Sequence, residues 1–154
     1  HRLGHAGRLK EARDLLHYSA DHLNPLEICL TSNVQTGAVK ELSQHPLRFY
    51  YDYGLRCTIN TDNRLMSGVT VTDELYKAHK DFHFNLPEIK DLIIYGIKSA
   101  FIHHRQKVEL LDGVLRDLKR FQEEKILEDD TGRAVGDIPA EIFTGSRAEN
   151  NDSQ

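Results

Sequence analysis

Three stretches of the chain end on side chains that can do chemistry. "RLGH" closes on His5, "LEICLTSN" on Thr31-Ser32-Asn33, and "RCTINTDN" on Asp62-Asn63. A carboxylate such as Asp62 can bind a metal, orient a base or hold a ribose hydroxyl; it can equally do no more than cap a loop by accepting backbone N–H bonds. An imidazole such as His5 suits base or ligand duty near neutral pH, and serves as readily as a satisfied structural residue. The Asn63 amide offers a donor and an acceptor together. Seven further histidines, at positions 17, 22, 45, 79, 83, 103 and 104, fall on predicted helices or their borders and read as solvated. Adjacent His103 and His104 point apart on a helix and form no chelating pair. The sequence has no C-x-x-C, no glycine-rich phosphate loop, no G-x-S-x-G elbow and no H-x-E…P-C-x-x-C pattern.

The elements that must position these groups form three strand–loop–helix units. A short strand ends at Leu3-Gly4-His5, and Leu9, Ala12, Leu15, Leu16 and Ala20 follow at helical spacing until Asn24-Pro25 breaks the chain. Residues 26–32 are apolar enough for a strand covered on both faces. A polar loop, "NVQTG", leads into a helical stretch reaching about Tyr53, with His45-Pro46 opening a second short helix and Gly54 ending it. Residues 56–62 make the third strand, and a helix opens at Thr72 with Asp73 and Glu74 in its first turn, where the helix dipole favours acids. One long helical region is expected from Pro87 towards Glu124, carried by Ile89, Leu92, Ile93, Ala100 and Phe101 and later by Val108, Leu111 and Leu115. Residues 125–154 are polar and aperiodic and are expected to be disordered. Alternating strands and helices predict an α/β fold of parallel βα units with right-handed crossovers, whose ligands gather at the carboxyl ends of the strands. His5, the Thr31–Asn33 turn and Asp62-Asn63 all stand at such ends.

The chain has 154 residues, 39% hydrophobic and 29% charged, with a formal net charge of -4. That balance gives no reason to expect nucleic acid or an anionic membrane as partner. No apolar run is long enough to span a bilayer. Cys29 and Cys57 sit in strand-like apolar runs and read as reduced core thiols, which fits a cytosolic setting. The chain opens in mid-pattern without Met, as a fragment of a longer protein does.

Taken together, "RLGH", "LEICLTSNVQTGAV", "HPL" and "TINTDNRLMSGVTVTDEL" resemble the carboxyl-terminal part of the adenosine deaminase family, over residues 1 to about 115. The similarity is greatest to the bacterial type, in which T-D-N-R replaces T-D-D-P. The resemblance implies three βα units and terminal helices, residues 1–124, from a TIM (β/α)₈ barrel of the metal-dependent hydrolase type. It implies hydrolytic deamination of adenosine to inosine and ammonia, in purine salvage. Asp62 corresponds to the family's zinc-binding aspartate on the eighth strand. Asn63 stands where many members have an aspartate that bonds the purine N7, and His5 corresponds to the histidine that orients the zinc-bound hydroxide and helps remove its proton. Ala6 replaces the family's usual glycine.

The same resemblance implies a Zn²⁺ cofactor, a purine nucleoside as small-molecule partner, and an amino-terminal barrel part supplying an H-x-H pair and an H-A-G-E-type segment. With one zinc ligand of four and three strands of eight, the chain alone is expected to be inactive and not stably folded. Two alternatives stand beside this reading. One is a related purine deaminase acting on adenine or a modified adenosine. The other is a non-catalytic paralogue that uses the helices from Pro87 to Glu124 as a partner surface.

Overall fold

The computed structural model describes residues 1–128, with side-chain burial through residue 123. Three strands, β1 (Leu3–Gly4), β2 (Leu26–Ile28) and β3 (Cys57–Ile59), form a parallel sheet in that order. Leu3 lies beside Leu26, which lies beside Cys57; Gly4, Glu27 and Thr58 form the next row. Side chains alternate across a strand. Leu26, Ile28 and Cys57 therefore share one face, and all three are fully buried.

Seven helices follow the strands among the described residues: α1 (Arg13–Asp21), α2 (Leu30–Gln35), α3 (Leu47–Asp52), α4 (Arg64–Ser67), α5 (Val71–Phe82), α6 (Leu86–Ser99) and α7 (His104–Glu128). Leu16 of α1, Tyr50 of α3, Phe82 of α5 and Leu92 of α6 join the strand residues in one core. Full burial of a side chain of this size contributes about 1.5–3 kcal/mol. The two best-defined helix starts have capping boxes: Thr70 with Asp73 at α5, and Asn85 with Glu88 at α6. Arg48 of α3 then reaches Glu88 through two hydrogen bonds of 2.8 and 3.0 Å, fastening α3 to the start of α6. Gly54, at φ +87°, turns the chain after α3 into β3, as its type predicts.

The observed elements depart from the sequence reading in several places, and the third strand, read as residues 56–62, is confined to Cys57–Ile59. The second strand stops at Ile28, and Leu30 to Gln35, expected as strand end and polar loop, are helix α2. A continuous apolar run does not distinguish the end of a buried strand from the start of a buried helix. The first helix is interrupted: Leu9–Glu11 is a 3₁₀ turn, and Ala12 leaves helical geometry at φ -107°, ψ 83°. Its apolar set splits as a result, with Leu16 buried and Leu15 46% exposed. The long carboxyl-terminal helix is two helices, broken at Ala100 with ψ 146°. No Gly or Pro lies between residues 97 and 112 to announce that break. Phe101, expected in the buried stripe, is 77% exposed and stacks instead under the Arg2 guanidinium, 3.7 Å from its ring centre. Finally, α7 continues to Glu128; the remainder of the tail expected to be disordered lies outside the described residues.

β1 and β3 are the edges of the sheet, and neither outer edge is paired among the described residues. Beside β1, an open groove is lined by Leu3, Ala6, Leu9, Ala12 and Leu15. No described helix is long and apolar enough to cross a membrane.

Candidate active site

Each strand hands the chain to a polar segment at its carboxyl end. His5 directly follows β1, with φ +61°, and Ala6 follows with φ +44°. Asp62, three residues past β3, has φ +56°. A non-glycine residue in this left-handed region costs about 1–2 kcal/mol. Ala6 stands where the resemblance places a glycine, the residue that adopts such a φ without strain. The fully buried Tyr50 holds this turn: its hydroxyl donates to the Ala6 carbonyl oxygen at 2.8 Å and accepts from the Lys10 N–H at 3.0 Å.

Between these two ends, β2 leads into α2, which carries Ser32 and Asn33. Cys29, at the N-cap, has no oxygen to offer the first turn. Glu74 of α5, fully buried, takes that role from 43 residues away. Its Oε2 accepts from the Thr31 N–H at 3.1 Å, its Oε1 accepts from the Thr31 hydroxyl, and Lys77 Nζ lies 2.8 Å from the same Oε1. The sequence reading made Glu74 a first-turn acid favoured by the helix dipole; the structure makes it a buried tether.

With α2 so fixed, the three strand ends meet. Ser32 Oγ donates to Asp62 Oδ2 at 2.7 Å, and His5 Nε2 lies 3.8 Å from that oxygen. The fully buried Asn33 amide has Oδ1 at 2.8 Å from His5 Nδ1, and Nδ2 at 3.2 Å from the His5 carbonyl oxygen and 2.9 Å from His45 Nε2. His45 Nδ1 accepts from the Leu47 N–H at 3.1 Å. The His5 and Asp62 side chains are 47% and 43% exposed, so the pair opens outward from a buried base.

His45 corrects the expectation of a solvated ring, being only 4% exposed. Burial pushes its pKa down to about 4, with Lys10 adding to the fall and Glu74 opposing it. The ring is neutral at pH 7. Sequence gave little sign of this, because its burial comes from segments remote in the chain, including the edge contact with Phe82 at 6.1 Å. Cys29 and Cys57 are free and buried, as expected. Burial, with the Asp62 charge next in size, raises the Cys29 thiol to about 12, and burial alone does the same for Cys57.

Asn63 does cap a loop: its Oδ1 accepts from the Met66 N–H at 3.1 Å at the start of α4. That commits the acceptor and leaves the NH₂ as a donor for a ligand. Asp62 does not cap; its Oδ2 accepts from Ser32. The residues fit one arm of a zinc site. Among the described residues no three His, Cys, Asp or Glu side chains cluster closely enough to hold a metal ion.

The sequence profile of the adenosine deaminase family matches residues 1–117. The chain belongs to the adenosine deaminase family. The adenosine deaminase of Clostridium acetobutylicum is 40% identical over 110 residues, 71% of this chain and 33% of that protein. The crystal structure of an adenine deaminase from Arthrobacter aurescens superposes with a TM-score of 0.72 at 32% identity, over 77% of this chain and 36% of that one. An amidohydrolase from Burkholderia ambifaria, solved with bound Zn, shares the fold at a TM-score of 0.70 and 17% identity, over 80% of this chain and 35% of that one. This adenosine deaminase family chain therefore spans about a third of the length of the relatives it matches. Its three parallel βα units and following helices are part of a TIM (β/α)₈ barrel.

Proposed function

We propose that this chain supplies one wall of a purine deaminase site, and that the complete protein hydrolyses the 6-amino group of adenosine to give inosine and ammonia. The observation that carries this is the meeting of His5 and Asp62 at 3.8 Å, held from beneath by Ser32 and Asn33, in a chain of this family. Asp62 would bind the metal through Oδ1 while Ser32 fixes its other oxygen. Zinc, when bound, would lower the pKa of a water from about 15.7 towards 7, giving a nucleophile near neutral pH. His5 turns Nε2 towards the same corner and orients the attacking water. Asn63, its acceptor committed to α4, donates through its NH₂ to the purine N7.

The remaining metal ligands, and the acid for the purine ring, would come from barrel strands outside this chain. Alone, the 154-residue chain is expected neither to bind zinc stoichiometrically nor to deaminate adenosine. The two free, buried thiols support a cytosolic setting. The experiment is a comparison of the complete protein with its Asp62→Ala variant. The wild type is expected to hold one zinc per active site and turn over adenosine, and the variant to lose both. A variant that retains metal and rate refutes the assignment. The similarity to the Arthrobacter aurescens adenine deaminase favours adenine as a second substrate reading. A panel of adenosine, 2′-deoxyadenosine, adenine and adenosine monophosphate separates the two.

A further inference from the structure

Three polar groups, His5 Nδ1, the His5 carbonyl oxygen and His45 Nε2, meet around the Asn33 amide, and only some arrangements of their protons are allowed. The Leu47 N–H opens α3 from a fully buried residue and points at His45 Nδ1 across 3.1 Å. A backbone N–H can only donate, so Nδ1 must accept. His45 is neutral, with a pKa of about 4, and therefore keeps its single ring proton on Nε2. That proton faces the end of the Asn33 amide 2.9 Å away, which must present its oxygen. A half-turn of the amide exchanges oxygen and nitrogen without changing its shape. After the half-turn, the amide nitrogen takes the position 2.8 Å from His5 Nδ1 and donates to it. An imidazole that accepts at Nδ1 carries its proton on Nε2. In His5 that is the nitrogen facing Asp62 Oδ2 at 3.8 Å, an N–H set towards a carboxylate. The half-turn costs the longest of the three contacts, setting the amide oxygen 3.2 Å from the His5 carbonyl oxygen, and keeps the two shorter ones, 2.8 and 2.9 Å, as hydrogen bonds.

We propose that Asn33 and His45 are positioning residues that hold His5 as its Nε2–H tautomer, so that His5 meets the attacking water as a hydrogen-bond donor and not as the acceptor of its proton. The proposal rests on the reading of His5 as an active-site residue, and extends it to two side chains that touch neither metal nor substrate.

The test uses the complete, metal-free protein with ¹⁵N-labelled histidine. Two-bond nitrogen–proton spectra are expected to show His5 and His45 both protonated at Nε2; a His5 ring protonated at Nδ1 overturns the proposal. Asn33→Asp keeps the shape but offers only acceptors, and is expected to move the His5 proton to Nδ1. In the metal-loaded enzyme the same variant should lose about 10–100-fold in kcat, with KM within about threefold. His45→Gln retains an N–H where Nε2 stood and should restore most of the rate lost in His45→Leu. Equal rates for Asn33→Asp and wild type would count against the proposal. A wild type with no purine deaminase activity would instead sink the functional reading, while the spectra still decide the tautomer.

Discussion

Removing the Glu74 carboxylate should loosen the site without touching any residue in it. Glu74 is fully buried and accepts two hydrogen bonds from Thr31, while Lys77, paired with it at 2.8 Å, is 27% exposed. In Glu74→Ala the Lys77 ammonium can swing into water, so the loss lies at the low end of the range for a broken buried pair, about 3 kcal/mol. Most of that is the stranded Thr31 N–H and hydroxyl, each costing about 1–3 kcal/mol when left without an acceptor. With a urea slope of roughly 3 kcal/mol per molar, the unfolding midpoint of the complete protein should fall by about 1 M with the slope unchanged. Glu74→Gln keeps one acceptor and should fall by roughly half as much. Because α2 carries Ser32 and Asn33, kcat should drop along with stability. A midpoint unmoved by Glu74→Ala would show that α2 is not anchored from α5, and the account of how the strand ends are held together would fail.

Three further outcomes are expected. Ser32→Ala removes a 2.7 Å bond to a carboxylate; such bonds contribute about 1.5–3 kcal/mol, and the 43% exposure of Asp62 favours the lower figure. Zinc affinity measured by chelator competition should therefore weaken about tenfold, and an affinity unchanged within about twofold would rule out Ser32 as the support of Asp62. His45 is depressed from 6.5 to about 4, so the unfolded chain binds the extra proton first: its contribution is complete above pH 6.5 and is lost as pH falls towards 4. The loss, about 3 kcal/mol, should be missing from the stability–pH curve of His45→Gln. Cys29 and Cys57, raised to about 12 by burial, should resist iodoacetamide in the native protein at pH 8 and react only after unfolding. Alkylation of the native protein at the rate of the unfolded one would contradict the packing of β2 and β3.

What could be read from sequence was what depends on position along the chain. His5 and Asp62 stood at the ends of strand-like runs in an alternating βα pattern, and that periodicity survives in the parallel sheet. The start of α5 was legible to within a residue for the same reason, since Asp73 acts within the first turn; Thr70 as its cap was not read. The supports beneath the site were not legible, because each is made across a long separation. Glu74 meets Thr31 from 43 positions away, and Asn33 meets His5 from 28 away. His45 looked like any surface histidine until α2, α3 and α5 closed around it. The start of α2 was hidden by composition, since Leu30 is as buried in a helix as it would be in a strand. The break between α6 and α7 has no marker residue at all, and we have no local account of it.

The sheet edges left unpaired among the described residues bear on how the protein can be taken apart. An exposed strand edge beside the apolar groove of Leu3, Ala6 and Leu9 is a template for another strand. Produced separately, this polypeptide and one carrying the other βα units are suited to split-enzyme reconstitution, with activity returning on mixing as a bimolecular event. Kept without such a companion, the same edge invites strand addition from further copies, so the yield of folded material should fall as its concentration rises.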